Sequence, residues 1–145
     1  MTDPELLESL IYSTHHAAGF VLKRYGRVLP FCVQFAPADD PKVDFYFPRE
    51  AQPKASFEEQ YVLAEARARR FALKPETSAL SFVTEVQEGE QRFMVVQAET
   101  RTEARVLRYP LRKAWLGWTT GKAEEAGGLL VGRLLGEQPK DAEAR

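Results

Sequence analysis

The stretch Leu80-Ser81-Phe82-Val83-Thr84-Glu85-Val86-Gln87-Glu88-Gly89-Glu90-Gln91-Arg92-Phe93-Met94-Val95-Val96-Gln97-Ala98 decides the fold. Leu80, Phe82, Thr84 and Val86 alternate with Ser81, Val83 and Glu85. Beyond Glu88-Gly89-Glu90 the same period of two resumes, with Phe93, Val95 and Gln97 set against Met94, Val96 and Ala98. Two alternating runs around a glycine-centred turn predict an antiparallel hairpin. A third strand is expected from about Glu103 to Tyr109. One parity of the hairpin, including Leu80, Phe82, Phe93 and Val95, is expected to face a core.

Working outward, a first helix is predicted over 3–25. Thr2 and Glu5 have capping-box spacing, Pro4 suits the first turn, and Gly26 supplies the left-handed stop. Leu6, Leu7, Leu10, Ile11, Thr14, Ala17, Ala18, Val21 and Leu22 recur at helical spacing. A strand is expected over 28–35, with Pro30 arguing for an edge position. After the turn cluster Pro37-Ala38-Asp39-Asp40-Pro41, Val43, Phe45 and Phe47 alternate as another strand. A second helix starts at Ser56, whose box closes with Glu59, and stops before Pro75. A last helix is expected over 119–135, although Gly121, Gly127, Gly128 and Gly132 fall within it and each costs roughly 1 kcal/mol against alanine.

These elements give a single α+β domain over 1–136, with a mostly antiparallel five-stranded sheet covered by helices in the order α-β-β-α-β-β-β-α. Residues 137–145 are expected to be a frayed polar tail. The order of elements resembles the roadblock/longin group of profilin-like domains, in which helices cover both faces of a five-stranded antiparallel sheet. Secretion-chaperone-like α+β domains have a similar inventory with one strand moved across the second helix. The resemblance rests on element order over most of the chain.

Composition narrows the classes of function. The chain has 145 residues, 44% apolar and 28% charged, with a formal net charge of −1. A chain of this length buries about 70% of its unfolded surface, so its core needs no metal or disulfide. Near-neutral charge gives no overall pull toward nucleic acid or anionic lipid. Cys32 is the single cysteine, which excludes an internal disulfide, and a cytoplasmic location is expected. Acidic Asp3, Glu5 and Glu8 stand where an export signal carries positive charge. No apolar run approaches the roughly 20 residues of a membrane span.

Candidate chemistry is sparse. His15 and His16 are adjacent and point about 100° apart on a helix, so they do not share one metal. Cys32 lies between Phe31 and Val33 with no cation beside it in sequence, which reads as a buried small hydrophobe. Asp39, Asp40 and Asp44 lack calcium-loop spacing. Thr119-Thr120-Gly121-Lys122 reverses the order of a phosphate loop. No catalytic residue, cofactor or metal ligand is assigned.

Two surface candidates remain. Arg101, Arg105, Arg108, Arg112 and Lys113 interleave with Tyr109, Trp115 and Trp118. Arginines beside exposed aromatics suit single-stranded nucleic acid, whereas a solvated strand face with core aromatics gives the same pattern. Trp115, Trp118 and Arg112, with Gly128 and Gly132 spaced along the last helix, form the expected protein-partner surface. The favoured expectation is a non-catalytic protein-interaction module, adaptor or chaperone-like, working as a homodimer. A nucleic-acid-binding accessory protein and an enzyme with a dispersed site are the alternatives.

Overall fold

The computed structural model describes residues 2–36 and 42–136. Helix α1 spans Asp3–Tyr25. The Thr2 hydroxyl accepts from the Glu5 amide at its start, and Gly26 ends it with φ of 73°. Strands β1 (Phe31–Ala36) and β2 (Lys42–Tyr46) follow, then a short helix α2 (Pro48–Ala51) and the longer α3 (Phe57–Ala72). At the start of α3 both halves of the Ser56–Glu59 capping box are made. Strands β3 (Ala79–Glu88), β4 (Gln91–Thr100), β5 (Ala104–Ala114), β6 (Gly117–Thr120) and β7 (Glu124–Glu125) complete the chain.

The architecture is α+β, as the sequence pattern predicts. All strand pairings are antiparallel and run β2-β1-β3-β4-β5-β6, with β7 also on β5. The central hairpin has the expected register, with Val83 opposite Val96 and Phe82 opposite Gln97.

Three expectations need correction. The sheet has more than five strands. Pro30 does not mark an edge, because it precedes β1, which pairs with β2 on one side and β3 on the other. The segment 119–135 is not a helix. It continues along β5 as β6 and β7, then runs as bends to residue 136. Register explains the break between β6 and β7. Leu111 pairs with Thr120, but Leu107 pairs with Glu125, so one extra residue is accommodated between the two pairings. There the Gly121 amide donates to the Pro110 carbonyl, and the Ala126 amide donates to the Val106 carbonyl. These bonds replace the helical ones that four glycines make unfavourable. The expected tail 137–145 and the turn 37–41 lie outside the described residues.

Both faces of β1 and of most of β3 and β4 are buried, so the core is not confined to one parity. Phe31, Val33, Phe35, Ala79, Val83, Met94, Val96 and Leu107 pack beneath the Leu6–Leu22 stripe of α1. Cys32, Leu80 and Phe82 face Ala64, Ala68 and Phe71 of α3. Helix α3 covers only the β1–β3 part of its face. Beside it Leu134 and Leu135 enter the same cluster, and Leu130 lies over Phe93, Val95 and Val106. The C-terminal segment thus does, without helical structure, the covering expected of the last helix over 119–135.

That segment is held by two buried polar side chains. Glu99 is 0% exposed. Its carboxylate accepts from the Leu134 amide at 2.9 Å, the Leu135 amide at 3.0 Å, Arg133 Nε at 2.7 Å and Gln97 Nε2 at 2.8 Å. The Gln97 carbonyl oxygen accepts from the Leu130 and Val131 amides. An irregular backbone over an apolar sheet is tolerated because its amides are satisfied from beneath.

Candidate functional site

The β5–β6 hairpin turn carries the two most exposed large apolar side chains of the described surface. Trp115 is 97% exposed and Leu116 is 94% exposed. Gly117, with φ of 125°, makes the turn possible. Trp118 has a different environment. It lies opposite Lys113 on β6, half-buried against the α1-side core, with the Arg92 guanidinium 4.3 Å from its ring centre. Arg92 in turn binds both oxygens of Glu85 at 2.7 and 2.8 Å and the Gly26 carbonyl at 2.7 Å. Trp118 therefore belongs to a network joining the end of α1 to the central hairpin. The two tryptophans do not form one helical anchor. Arg112 and Lys113 remain exposed next to Trp115.

Gly128 and Gly132 lie in the bends after β7, with no atom within 4 Å of the position a side chain would take. They bring no second helix close, because there is no helix for them to line.

The basic run is dispersed by its partners. Arg105 binds Glu125 at 2.7 Å and Glu8 at 2.8 Å. Arg108 pairs with Glu124 and Glu88 and covers the Phe93 ring at 4.3 Å. Arg101 donates to the Leu135 and Lys74 carbonyls. Tyr109 is buried beside His15, 4.8 Å between ring centres. The carboxylates involved come from α1, the end of β3 and β7, so no local window of sequence displays them.

A second exposed aromatic surface lies on α1, and the sequence pattern did not single it out. Tyr12 is 74% exposed and Phe20 is 65% exposed. His16 sits between them, its ring 6.2 Å from that of Tyr12 and 5.1 Å from that of Phe20. Beside this stripe a cleft of about 450 Å³ opens between α1 and β2, lined by His16, Phe20, Leu29, Pro30, Phe45 and Phe47. Phe45 and Phe47 are stacked 6.0 Å apart. The arrangement arises because α1 packs over β1, β3, β4 and β6 and leaves β2 uncovered. Arg24 and Arg49 both lie 5.3 Å from the Tyr25 ring at the cleft's end. One signal for this face was present in the sequence: Tyr12, His16 and Phe20 recur every fourth residue, out of phase with the leucine stripe.

The reactive side chains have ordinary structural roles. Burial pushes the Cys32 thiol up to about 12, against a smaller opposing effect of Arg67, so it is not a thiolate nucleophile. Burial, with the neighbouring His16, lowers the His15 titration, and His15 Nε2 shares a hydrogen bond with the Thr120 hydroxyl at 3.1 Å. Among the described residues no three His, Cys, Asp or Glu side chains are placed to hold a metal ion. No described helix is long and apolar enough to cross a membrane.

Compared with known proteins, the chain matches no family model, and no curated protein or solved structure matches it significantly.

Proposed function

We propose that the chain is a non-catalytic protein-interaction module, adaptor or chaperone-like, that acts as a homodimer and offers its β5–β6 hairpin tip to another protein. The exposure of Trp115 and Leu116 carries this reading. A hairpin turn does not require large apolar residues, and polar turn residues satisfy the same geometry. Leaving a side chain of this class in water forgoes about 1.5–3 kcal/mol of burial. Tryptophan is also among the residues that most often dominate binding energy, because it combines large area with a polar handle. Arg112 and Lys113 give the tip a basic flank, which favours a partner with an apolar pocket bordered by carboxylates.

Photo-crosslinking from position 116 in an extract of the native host tests the reading. A discrete heavier adduct should form, and replacing Trp115 with alanine should weaken capture by about 2 kcal/mol or more without unfolding the domain. Capture that is identical with Trp115→Ala overturns the assignment.

A further inference from the structure

We infer that the second copy of the chain binds through the outer face of α1, with the two α1 helices antiparallel about a two-fold axis at His16. The inference rests on the homodimer reading above and names the surface that reading leaves open. At about 100° per residue, Glu5, Tyr12, His16, Phe20 and Lys23 all fall within about 40° of His16 around the helix axis. The face runs about 27 Å from Glu5 to Lys23. Its centre is aromatic and its ends are of opposite charge. On this face Glu5 lies in the first turn and Lys23 in the last, and both are exposed.

That charge order decides between occupants and orientations. A second α1 laid parallel would set Glu5 against Glu5 and Lys23 against Lys23. Laid antiparallel, it sets the acidic end of each copy against the basic end of the other, twice over by symmetry. Tyr12 and Phe20 stand equally far from His16 along the helix. The two-fold therefore places Tyr12 of each copy opposite Phe20 of the other, with the His16 rings meeting at the axis. Gly19 lies on the same face with open space where a side chain would be, which lets the helices approach. Phe45 and Phe47 extend the apolar area past the helix, so the second copy also closes the mouth of the cleft. The face is self-complementary in shape order and in charge, which is what an isologous contact requires.

Sedimentation of the full chain over a concentration series tests the proposal. The wild-type protein should dimerise. Phe20→Glu and, separately, Tyr12→Glu should be folded monomers by circular dichroism, since both positions are exposed. Glu5→Lys alone and Lys23→Glu alone should each raise the dimer dissociation constant about fivefold, as reversed surface ion pairs at two symmetric positions do. The double variant Glu5→Lys/Lys23→Glu should return it to within about twofold of wild type. A dimer that survives Phe20→Glu and Tyr12→Glu overturns this surface while leaving the homodimer reading standing. A dimer weakened by the single charge reversals and not rescued by the double one overturns the antiparallel arrangement. A wild-type monomer at every concentration overturns both this inference and the homodimer reading.

Discussion

Truncating Glu99 to alanine should release the C-terminal segment from the sheet. The carboxylate is fully buried and binds four donors. Hydrogen bonds to a charged group are worth about 1.5–3 kcal/mol each and do not add. Arg133 is partly exposed and rehydrates when its partner is removed, so its share is small. The Gln97 amide keeps its longer bond to the Gly132 carbonyl at 3.4 Å, but the Leu134 and Leu135 amides have no such recourse, and a buried donor left unpaired costs about 1–3 kcal/mol. The expected loss is therefore about 3–5 kcal/mol, the range for breaking a buried charged network. That is comparable to the ~3–6 kcal/mol gained by burying Leu134 and Leu135. Release of residues 126–136 is thus an available escape, and local opening should precede global unfolding. Urea denaturation followed by circular dichroism gives the stability change, and hydrogen exchange of peptides covering 126–136 gives the local one. A loss below about 1 kcal/mol with the Leu134 and Leu135 amides still protected would refute the reasoning, since it would mean that those amides do not depend on Glu99.

Three further outcomes follow from the same geometry. Burial acts to raise the Glu99 titration, but the donors from Gln97, Leu134, Arg133 and Leu135 outweigh it and hold the folded value below the ordinary 4.5. The folded state then takes up this proton less readily than the unfolded chain, so Glu99 adds stability above pH 4.5 that disappears as pH falls through the lower folded value; Glu99→Gln should flatten that acid limb in a stability-versus-pH series, and an unchanged limb counts against the network. Phe93→Ala should cost about 3–5 kcal/mol by chemical denaturation, because Phe93 is buried with Val95 and Val106; a loss under ~1 kcal/mol would place its ring on the solvent side. Gly121→Ala should lower stability by about 1–3 kcal/mol, since its new methyl would meet Arg112 Nε at 2.7 Å and the rigid Pro110 ring at 2.9 Å; thermal melts indistinguishable from wild type would mean that the strand break relaxes freely.

What was legible in the sequence was local. The caps at Thr2 and Ser56, the Gly26 stop and the 80–98 hairpin each depend on residues within a few positions of one another, and all are present. The segment 119–135 has the pattern of a helix because Leu130, Val131, Leu134 and Leu135 have helix-compatible spacing. What fixes its actual path lies on β4, at Gln97 and Glu99, more than thirty residues earlier. Hydropathy gives no sign that a glutamate at 99 is buried, since its burial depends on donors that only the folded chain brings to it. The basic run was likewise ambiguous by construction. Arg105 and Arg108 look available until Glu8, Glu88, Glu124 and Glu125 arrive from elsewhere, and Tyr109 looks available until α1 covers it with His15.

The exposed aromatics stand out against this pattern of long-range satisfaction. The fold places Glu99 and Gln97 inside and gives both a full set of partners, so its packing does not lack means of sorting polar from apolar groups. Tyr12, Phe20, Trp115 and Leu116 stay outside on two regular elements whose geometry does not require them. On α1 the leucine face already supplies the core contact, and on the hairpin Trp118 already joins β6 to Arg92. A polar residue at any of the four sites would leave those contacts intact. The two patches also differ in charge: the α1 face carries opposite charges toward its two ends, at Glu5 and Lys23, whereas the hairpin tip carries one sign of charge, from Arg112 and Lys113. A dimer formed through α1 would leave both hairpin tips open to a different protein, which is the division of labour an adaptor needs.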